Sequence, residues 1–143
     1  MAGQNPIISF LRNLDKDSPK FDYVLDKIIK AVVKIMNNTE ELKEELVGFD
    51  DIYQTYVVDA NFNYWLKVSD GKLSYEKGIN PKALFTINIS KDITIQILKN
   101  EISGTDAFMK GKINTEGSLS QGLRYIKLFR IFVKYLKKKN GFQ

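Results

Sequence analysis

The spacing of the apolar residues changes from a helical period to a strand period near residue 50. Before that point apolar residues recur every three or four positions, as between Phe21 and Met36, which predicts helices. From Ile52 onward they alternate with polar residues, which predicts strands, and Asp70-Gly71 is a hairpin signal between two of these strands. A chain with both periods is predicted to bury the face of a sheet under helices, in an α+β fold.

The start and stop signals of the first 48 residues predict three helices. Asn5-Pro6 begins a short first helix, and Ser18-Pro19 begins a longer second one. Thr39 can cap an acidic third helix, which Gly48 stops. We expect these helices to cover one side of the core, and a lid or a homodimer surface is the alternative.

Four strands are predicted to follow in an antiparallel meander, at 52–58, 64–69, 72–77 and 84–89. Because alternate residues of a strand point to the same side, one face of this sheet is predicted to pack on helices. That face presents Tyr64, Leu66, Val68, Phe85 and Ile87.

Glycines divide residues 107–128 into a short helix, a brief strand and a long helix. Gly111 is predicted to stop the short helix, because glycine readily adopts the left-handed conformation in which helices often end. The strand is predicted at 112–116 and ends at Gly117. Ser118 is a good N-cap for the long last helix, whose apolar residues recur at helical spacing.

The chain of 143 residues has no cysteine and no histidine, which excludes several classes of function. Disulfides, thiol nucleophiles, zinc sites of the usual kinds and an imidazole base are all excluded. The carboxylates are scattered through turns and helix starts, and Asp50-Asp51 is predicted to be a solvated turn. Glycines such as Gly104 separate elements and do not cluster as in a phosphate-binding loop. We therefore predict a protein that is not an enzyme and has no cofactor or metal.

Four groups of residues stand in an order and spacing known from one family of domains. They are Gly48-Phe49-Asp50, Trp65-Leu66-Lys67-Val68-x-Asp70-Gly71-Lys72, Ala107-Phe108-Met109-x-Gly111-Lys112-Ile113 and Gly117-x-Leu119. Here the chain resembles the sterol carrier protein type 2 (SCP-2) lipid-binding domains, over roughly residues 40–130. The resemblance implies about five mostly antiparallel strands covered by helices, with an apolar tunnel between the sheet and the helices that the last helix closes. The chain departs from the family's pattern at Thr115, Glu116, Ser120 and Gly122.

The local pattern and the resemblance predict different structures for residues 90–103. Residues 93–97 alternate and are rich in β-branched side chains, which favours a strand. The family has a helix here, for which Ser90 would be the N-cap. We follow the resemblance and predict a helix that Gly104 ends, after which Thr105 caps the next short helix.

The whole positive excess of the chain lies in its last helix and tail. Residues 117–143 contain seven basic residues and no acidic one, whereas the rest of the chain has 15 basic and 17 acidic residues. Cations that recur every three or four positions form a stripe along one helical face, which we predict to contact anionic headgroups or membranes. This predicted headgroup set is Arg124, Lys127, Arg130 and Lys134. The aromatic residues between them are typical of a core, so nucleic-acid binding is the less favoured interpretation.

We predict that residues 1–143 form one lipid-binding or lipid-transfer domain, helical in 1–48, mainly sheet in 49–117 and with the cationic helix in 118–139. The predicted ligand is a fatty acid, a fatty acyl-coenzyme A, a sterol-like molecule or another lipid. The predicted lining is apolar and consists of Leu66, Val68, Phe85, Ile87, Phe108, Met109, Ile113, Leu119, Leu123 and Ile126. Two alternatives remain: a structural or interaction module, in which the core is filled and the first helices form a homodimer, and an accessory domain to an enzyme acting on acyl-coenzyme A.

The sequence also predicts a soluble, cytoplasmic protein. No apolar run approaches the ~20 residues that a membrane span needs, and residues 7–11 are too short for the core of a signal peptide. The final residues, Gly141-Phe142-Gln143, do not match a peroxisomal signal of the Ser-Lys-Leu type.

Overall fold

Five helices and five strands follow one another in the computed structural model, which describes residues 11, 12, 14, 15 and 17–140, with side chains as far as Tyr135. The helices are α1 (Phe21–Asn37), α2 (Glu40–Glu45), α3 (Lys91–Leu98), α4 (Gly104–Met109) and α5 (Leu119–Asn140). The strands are β1 (Asp51–Val57), β2 (Phe62–Ser69), β3 (Lys72–Lys77), β4 (Phe85–Ile89) and β5 (Asn114–Gly117). The start of the helix predicted at Asn5-Pro6 lies outside the described residues, but residues 11 and 12 are helical, and Leu11 and Leu14 are buried.

The five strands form one mixed sheet in the order β3-β2-β1-β4-β5. Three of the neighbouring pairs are antiparallel, but β1 and β4 run parallel, with Tyr53 opposite Phe85. The α+β class with mostly antiparallel strands is therefore confirmed, whereas the meander is wrong, because β4 returns to the far side of β1.

A buried amide holds the connection that carries the chain from β3 to β4. Gln54 on β1 donates a hydrogen bond of 3.0 Å to the carbonyl oxygen of Gly78 and accepts one of 2.9 Å from the backbone N–H of Asn80. The N–H of Gly78 in turn bonds to the carbonyl of Asn63, over 2.9 Å. These bonds fix the path of the chain from β3 to β4. The alternation of apolar and polar residues could not predict this path, because it shows which face of a strand is buried but not which strands lie beside it.

The core lies on one side of the sheet. The predicted shared face is confirmed, because its five residues are all buried: Tyr64, Leu66, Val68, Phe85 and Ile87. The apolar stripe of α1, including Ile28, Val32 and Met36, is fully buried as well, and α1 packs against β3 and α5. Burying these side chains gives this side of the sheet its stability.

The helix predicted within residues 90–103 is confirmed as α3, but it ends at Leu98, and the prediction that Gly104 ends it is wrong, because Gly104 is the first residue of α4. Ser90 is its N-cap, and its hydroxyl accepts a hydrogen bond of 3.1 Å from the backbone N–H of Ile93. The strand-like alternation is explained by burial, since Thr94 and Ile95 are buried together with Ile93. The cap predicted at Thr105 for α4 is wrong: the N-cap is Ser103, whose hydroxyl accepts a hydrogen bond of 2.9 Å from the N–H of Asp106, and α4 starts at Gly104.

Candidate functional site

An apolar cavity of about 160 Å³ lies between the sheet and the first half of α5. Strand β4, helix α4, the segment around β5 and helix α5 supply its lining: Phe85, Ile87, Gly104, Phe108, Ile113, Thr115, Gly117, Ser118, Leu119, Gly122, Leu123, Tyr125, Ile126 and Phe129. A cavity of about 150 Å³ lined by leucine, isoleucine and phenylalanine stays dry and can bind benzene. This cavity therefore has room for about one small ring.

Seven of the ten predicted lining residues border this cavity: Phe85, Ile87, Phe108, Ile113, Leu119, Leu123 and Ile126. The other three lie elsewhere. Leu66 borders a separate void of about 20 Å³, and Val68 is completely buried in the core. Both are on β2, which β1 separates from β4, so the buried face of the sheet extends well beyond the cavity. Met109 lies outside the cavity and is 74% exposed.

Two glycines make space for the ring of Phe85 at the wall of the cavity. A Cβ atom on Gly117, which has a φ of +130°, would lie 2.5 Å from the carbonyl oxygen of Leu84 and 2.9 Å from Cδ1 of Phe85. A Cβ atom on Gly122 in α5 would lie 2.9 Å from Cε1 of the same ring. Gly122 is one of the residues at which the chain departs from the family's pattern, and the structure shows that its lack of a side chain accommodates Phe85.

Aromatic residues form the inner wall of the cavity. The ring of Tyr125 lies 4.8 Å from that of Tyr53 and 4.9 Å from that of Phe129, measured between centroids. Its hydroxyl shares a hydrogen bond of 2.9 Å with that of Thr55, so its polar atom is satisfied. Burial raises the pKa of Tyr125 well above its usual value, so the phenol stays neutral. The sequence placed these aromatics in the core but did not show that they border a cavity.

An ion pair with a buried carboxylate connects the start of α5 to the sheet. The Nε of Arg124 donates to Oδ2 of Asp51 over 2.6 Å, and its Nη2 donates to Oδ1 over 3.1 Å. Tyr53 donates to the same carboxylate over 2.7 Å. Burial raises the pKa of Asp51, but the hydrogen bonds from Arg124 and Tyr53 outweigh it and hold that pKa below its usual value. The prediction of a solvated turn is therefore wrong for Asp51, which is 7% exposed.

The predicted headgroup set does not act as one free stripe of cations. Arg124 is paired with Asp51, and Lys134 donates to Glu45 at the end of α2 over 2.7 Å. The Nζ of Lys127 lies 5.8 Å from the centroid of the Phe49 ring, whereas Arg130 borders a shallow depression beside α4. The carboxylate partners are 73 and 89 residues away along the chain, so helical spacing alone could not reveal them.

The lining residues supply no group for acid–base or nucleophilic chemistry at ordinary pH. Among them, as the structure describes them, the polar side chains are Thr115, Ser118 and Tyr125, and no carboxylate or amine is present. The described part of the chain also contains no group of three acidic side chains placed to hold a metal ion. None of its helices combines the length and apolar character needed to cross a membrane. The arrangement is suited to holding an apolar group.

These features define the protein as an α+β domain with an apolar cavity between its sheet and its last long helix. The model of the SCP-2 sterol transfer family matches residues 29–130, and the chain belongs to this family. The family predicted from the motifs is thereby confirmed. Comparison with curated proteins by sequence finds no match.

Solved structures share the fold at low sequence identity. A crystal structure of sterol carrier protein 2 has a TM-score of 0.61 and 16% identity, covering 76% of this chain and 92% of its own. Sterol carrier protein 2 like 2 from Aedes aegypti has a TM-score of 0.57 and 12% identity, covering 72% of this chain and 94% of its own. A stereoselective inverting sec-alkylsulfatase from Pseudomonas sp. has a TM-score of 0.50 and 24% identity over 63% of this chain. This chain spans only 13% of the sulfatase's length.

Proposed function

We propose that this chain is a non-catalytic lipid-binding and lipid-transfer domain, which holds the apolar part of its ligand in the cavity beside α5. The observation that carries the proposal is an apolar cavity of about 160 Å³ that reaches the surface between apolar side chains. Leu119 and Leu123 line the cavity although they are 72% and 59% exposed, and we call these two residues its rim. An exposed apolar rim around an apolar cavity offers a ligand an entry path.

The size of the cavity limits what it can hold without moving its walls. Each buried methylene contributes about 0.8 kcal/mol, so micromolar binding needs roughly ten methylenes before ordering costs are counted. A cavity that fits benzene holds about six carbon atoms. We therefore propose that a longer lipid widens the cavity into the tunnel that the family resemblance implies.

The proposed ligand class is a fatty acid, a fatty acyl-coenzyme A, a sterol-like molecule or another lipid with one apolar part that enters the cavity. The exposed cations Lys127 and Arg130 support contact with an anionic headgroup or, transiently, with an anionic membrane surface. A cytoplasmic location stays a prediction from the sequence.

Native mass spectrometry of the gently purified protein tests the proposal. We expect an extra mass, or uptake of an added fluorescent fatty acid, and solvent extraction followed by identification then gives the chemical class of the natural ligand. A protein that carries no extra mass and takes up neither a fatty acid nor an acyl-coenzyme A probe would contradict the proposal. That result would favour an interaction module, which size-exclusion chromatography with light scattering would examine as a homodimer.

A further inference from the structure

The ring of Phe129 separates the cavity from a second space on the surface. This space is an open depression of about 320 Å³ between α3, α4 and α5, whose lining includes Asn100, Ser103, Gly104, Arg130 and Val133. Phe129 borders the cavity, the depression and the small void beneath α3. One side chain is therefore shared by all three spaces.

The partition between the cavity and the depression is thin. Gly104 is the other residue that borders both spaces, and a Cβ atom there would lie 3.4 Å from Cδ2 of Phe129. The ring thus packs on a residue without a side chain, and its neighbour on the inner side is the ring of Tyr125 at 4.9 Å. A change in the rotamer of Phe129 would open a path between the two spaces without a change in the sheet.

One cation beside the depression is available to a ligand. Lys134 also borders the depression, but it is paired with Glu45 over 2.7 Å. Arg130 is exposed and has no hydrogen bond or ion pair with any side chain that the structure describes. Its guanidinium can therefore bind a carboxylate or phosphate in the depression.

We infer that Phe129 gates the site, and that its movement joins the cavity to the depression so that one anionic amphiphile occupies both. The apolar chain lies in the cavity, and the carboxylate or phosphate head lies beside Arg130. This inference rests on the proposed function, and it adds the orientation of the ligand and the residue that sets the longest chain accepted.

A series of straight-chain carboxylates tests the gate by calorimetry or by displacement of a fluorescent probe. Affinity is expected to rise about fourfold with each added methylene until the available space is filled. In Phe129→Leu the affinity should keep rising up to longer carboxylates than in the wild-type protein. In Phe129→Trp it should stop rising at shorter carboxylates than in the wild-type protein. Phe108→Leu is the matched control, because Phe108 lines the cavity but not the depression.

The outcomes distinguish a gating role of Phe129 from a role in packing alone. A purely structural role would lower the melting temperature of both Phe129 variants and leave the limiting chain length unchanged, which would overturn the gate. A shift in Phe108→Leu equal to that in Phe129→Leu would also overturn it. If the wild-type protein binds no carboxylate of any length, the proposed function fails and the gate fails with it.

A second comparison tests whether the headgroup of the ligand binds beside Arg130. Decanoate is expected to bind the wild-type protein more tightly than decanol, and Arg130→Gln should reduce that preference about tenfold, since a charge-assisted hydrogen bond is lost. Lys67→Gln removes the same charge from an exposed position on β2, outside the depression, and it should keep the preference. An equal loss in both variants would show long-range attraction only and would overturn the assignment of Arg130.

Discussion

Arg124 of α5 and Asp51 of β1, 73 residues apart, form a bidentate ion pair in which Nε and Oδ2 are 2.6 Å apart. The carboxylate is almost completely buried, whereas the arginine side chain is 36% exposed. This pair fixes the angle at which the first half of α5 leaves the sheet. Because that half of the helix forms one wall of the cavity, the pair positions the candidate site without lining it.

We expect Arg124→Gln to lower the free energy of unfolding by about 2–4 kcal/mol, because it leaves the carboxylate of Asp51 buried without its charged partner. Chemical denaturation measures the change. Lys127→Gln is the control, since it removes one positive charge from the exposed side of the same helix. Equal stabilities of the two variants would show that the ion pair does not contribute.

Stability is expected to fall in acid, below about pH 4.5. Hydrogen bonds with Arg124 and Tyr53 keep the folded-state pKa of Asp51 below its usual value of 3.8 despite burial, and a hydrogen bond from Lys134 lowers that of Glu45 from 4.5. The unfolded chain therefore binds more protons than the folded one in this range, so the stability present above the unfolded pKa values is lost as the pH falls through the folded ones. Chemical denaturation between pH 2.5 and 7 measures how steeply the free energy of unfolding depends on pH. Asp51→Asn should make this dependence weaker, and a dependence identical to that of the wild-type protein would contradict this account.

Gly122→Ala sets two effects of opposite sign against each other. Alanine is favoured over glycine in a helix by about 1 kcal/mol, but the new methyl group would lie 2.9 Å from the ring of Phe85. That ring is held between Tyr53 and Tyr125, whose centroids are 6.5 and 6.0 Å away, so it has little freedom to move. We expect overpacking to dominate and the free energy of unfolding to fall by about 1–2 kcal/mol.

The partner substitution identifies the cause of that loss. Phe85→Leu shortens the side chain that the new methyl group would meet, so the double variant should be more stable than the sum of the two single changes predicts. Thermal or chemical denaturation of the four proteins gives the coupling energy. A stability of Gly122→Ala above that of the wild-type protein would show that the ring moves aside at low cost.

Whether a feature could be predicted from the sequence depends on how far apart along the chain the residues that determine it lie. The Asp70-Gly71 hairpin and the buried face of the sheet follow from neighbouring residues, and the structure confirms them. The helix capped by Ser90 is also confirmed, but it was predicted from the family resemblance, since the local alternation favoured a strand. The position of β4 depends on Gln54, which bonds to backbone 24 and 26 residues away. Local sequence patterns cannot predict contacts between residues this far apart in the chain.

The same reason explains which parts of the candidate site were missed. Alternation placed Leu66 and Ile87 on one face correctly, but only the strand order shows that Leu66 is too far from α5 to border the cavity. Asp51 could not be recognised as the partner of Arg124 either, because an acidic residue at the start of a strand is typical of a solvated turn. The glycines near Phe85 were recognised as element boundaries or as departures from the family pattern, and their effect on the cavity required the coordinates.

Leu123→Asp is expected to abolish uptake of a fluorescent fatty acid while the protein stays folded. The side chain is 59% exposed, so a carboxylate there is hydrated and stability should change by less than about 1 kcal/mol. It nevertheless lines the cavity at its rim, where an apolar chain would displace the water around the new charge at a cost of several kcal/mol. Val58→Asp is a matched control, because Val58 is 60% exposed, lies at the end of β1 and does not border the cavity. Both variants should keep the wild-type circular dichroism spectrum, and only Leu123→Asp should fail to bind the probe. If both variants bind the probe as the wild-type protein does, the ligand does not enter past this rim.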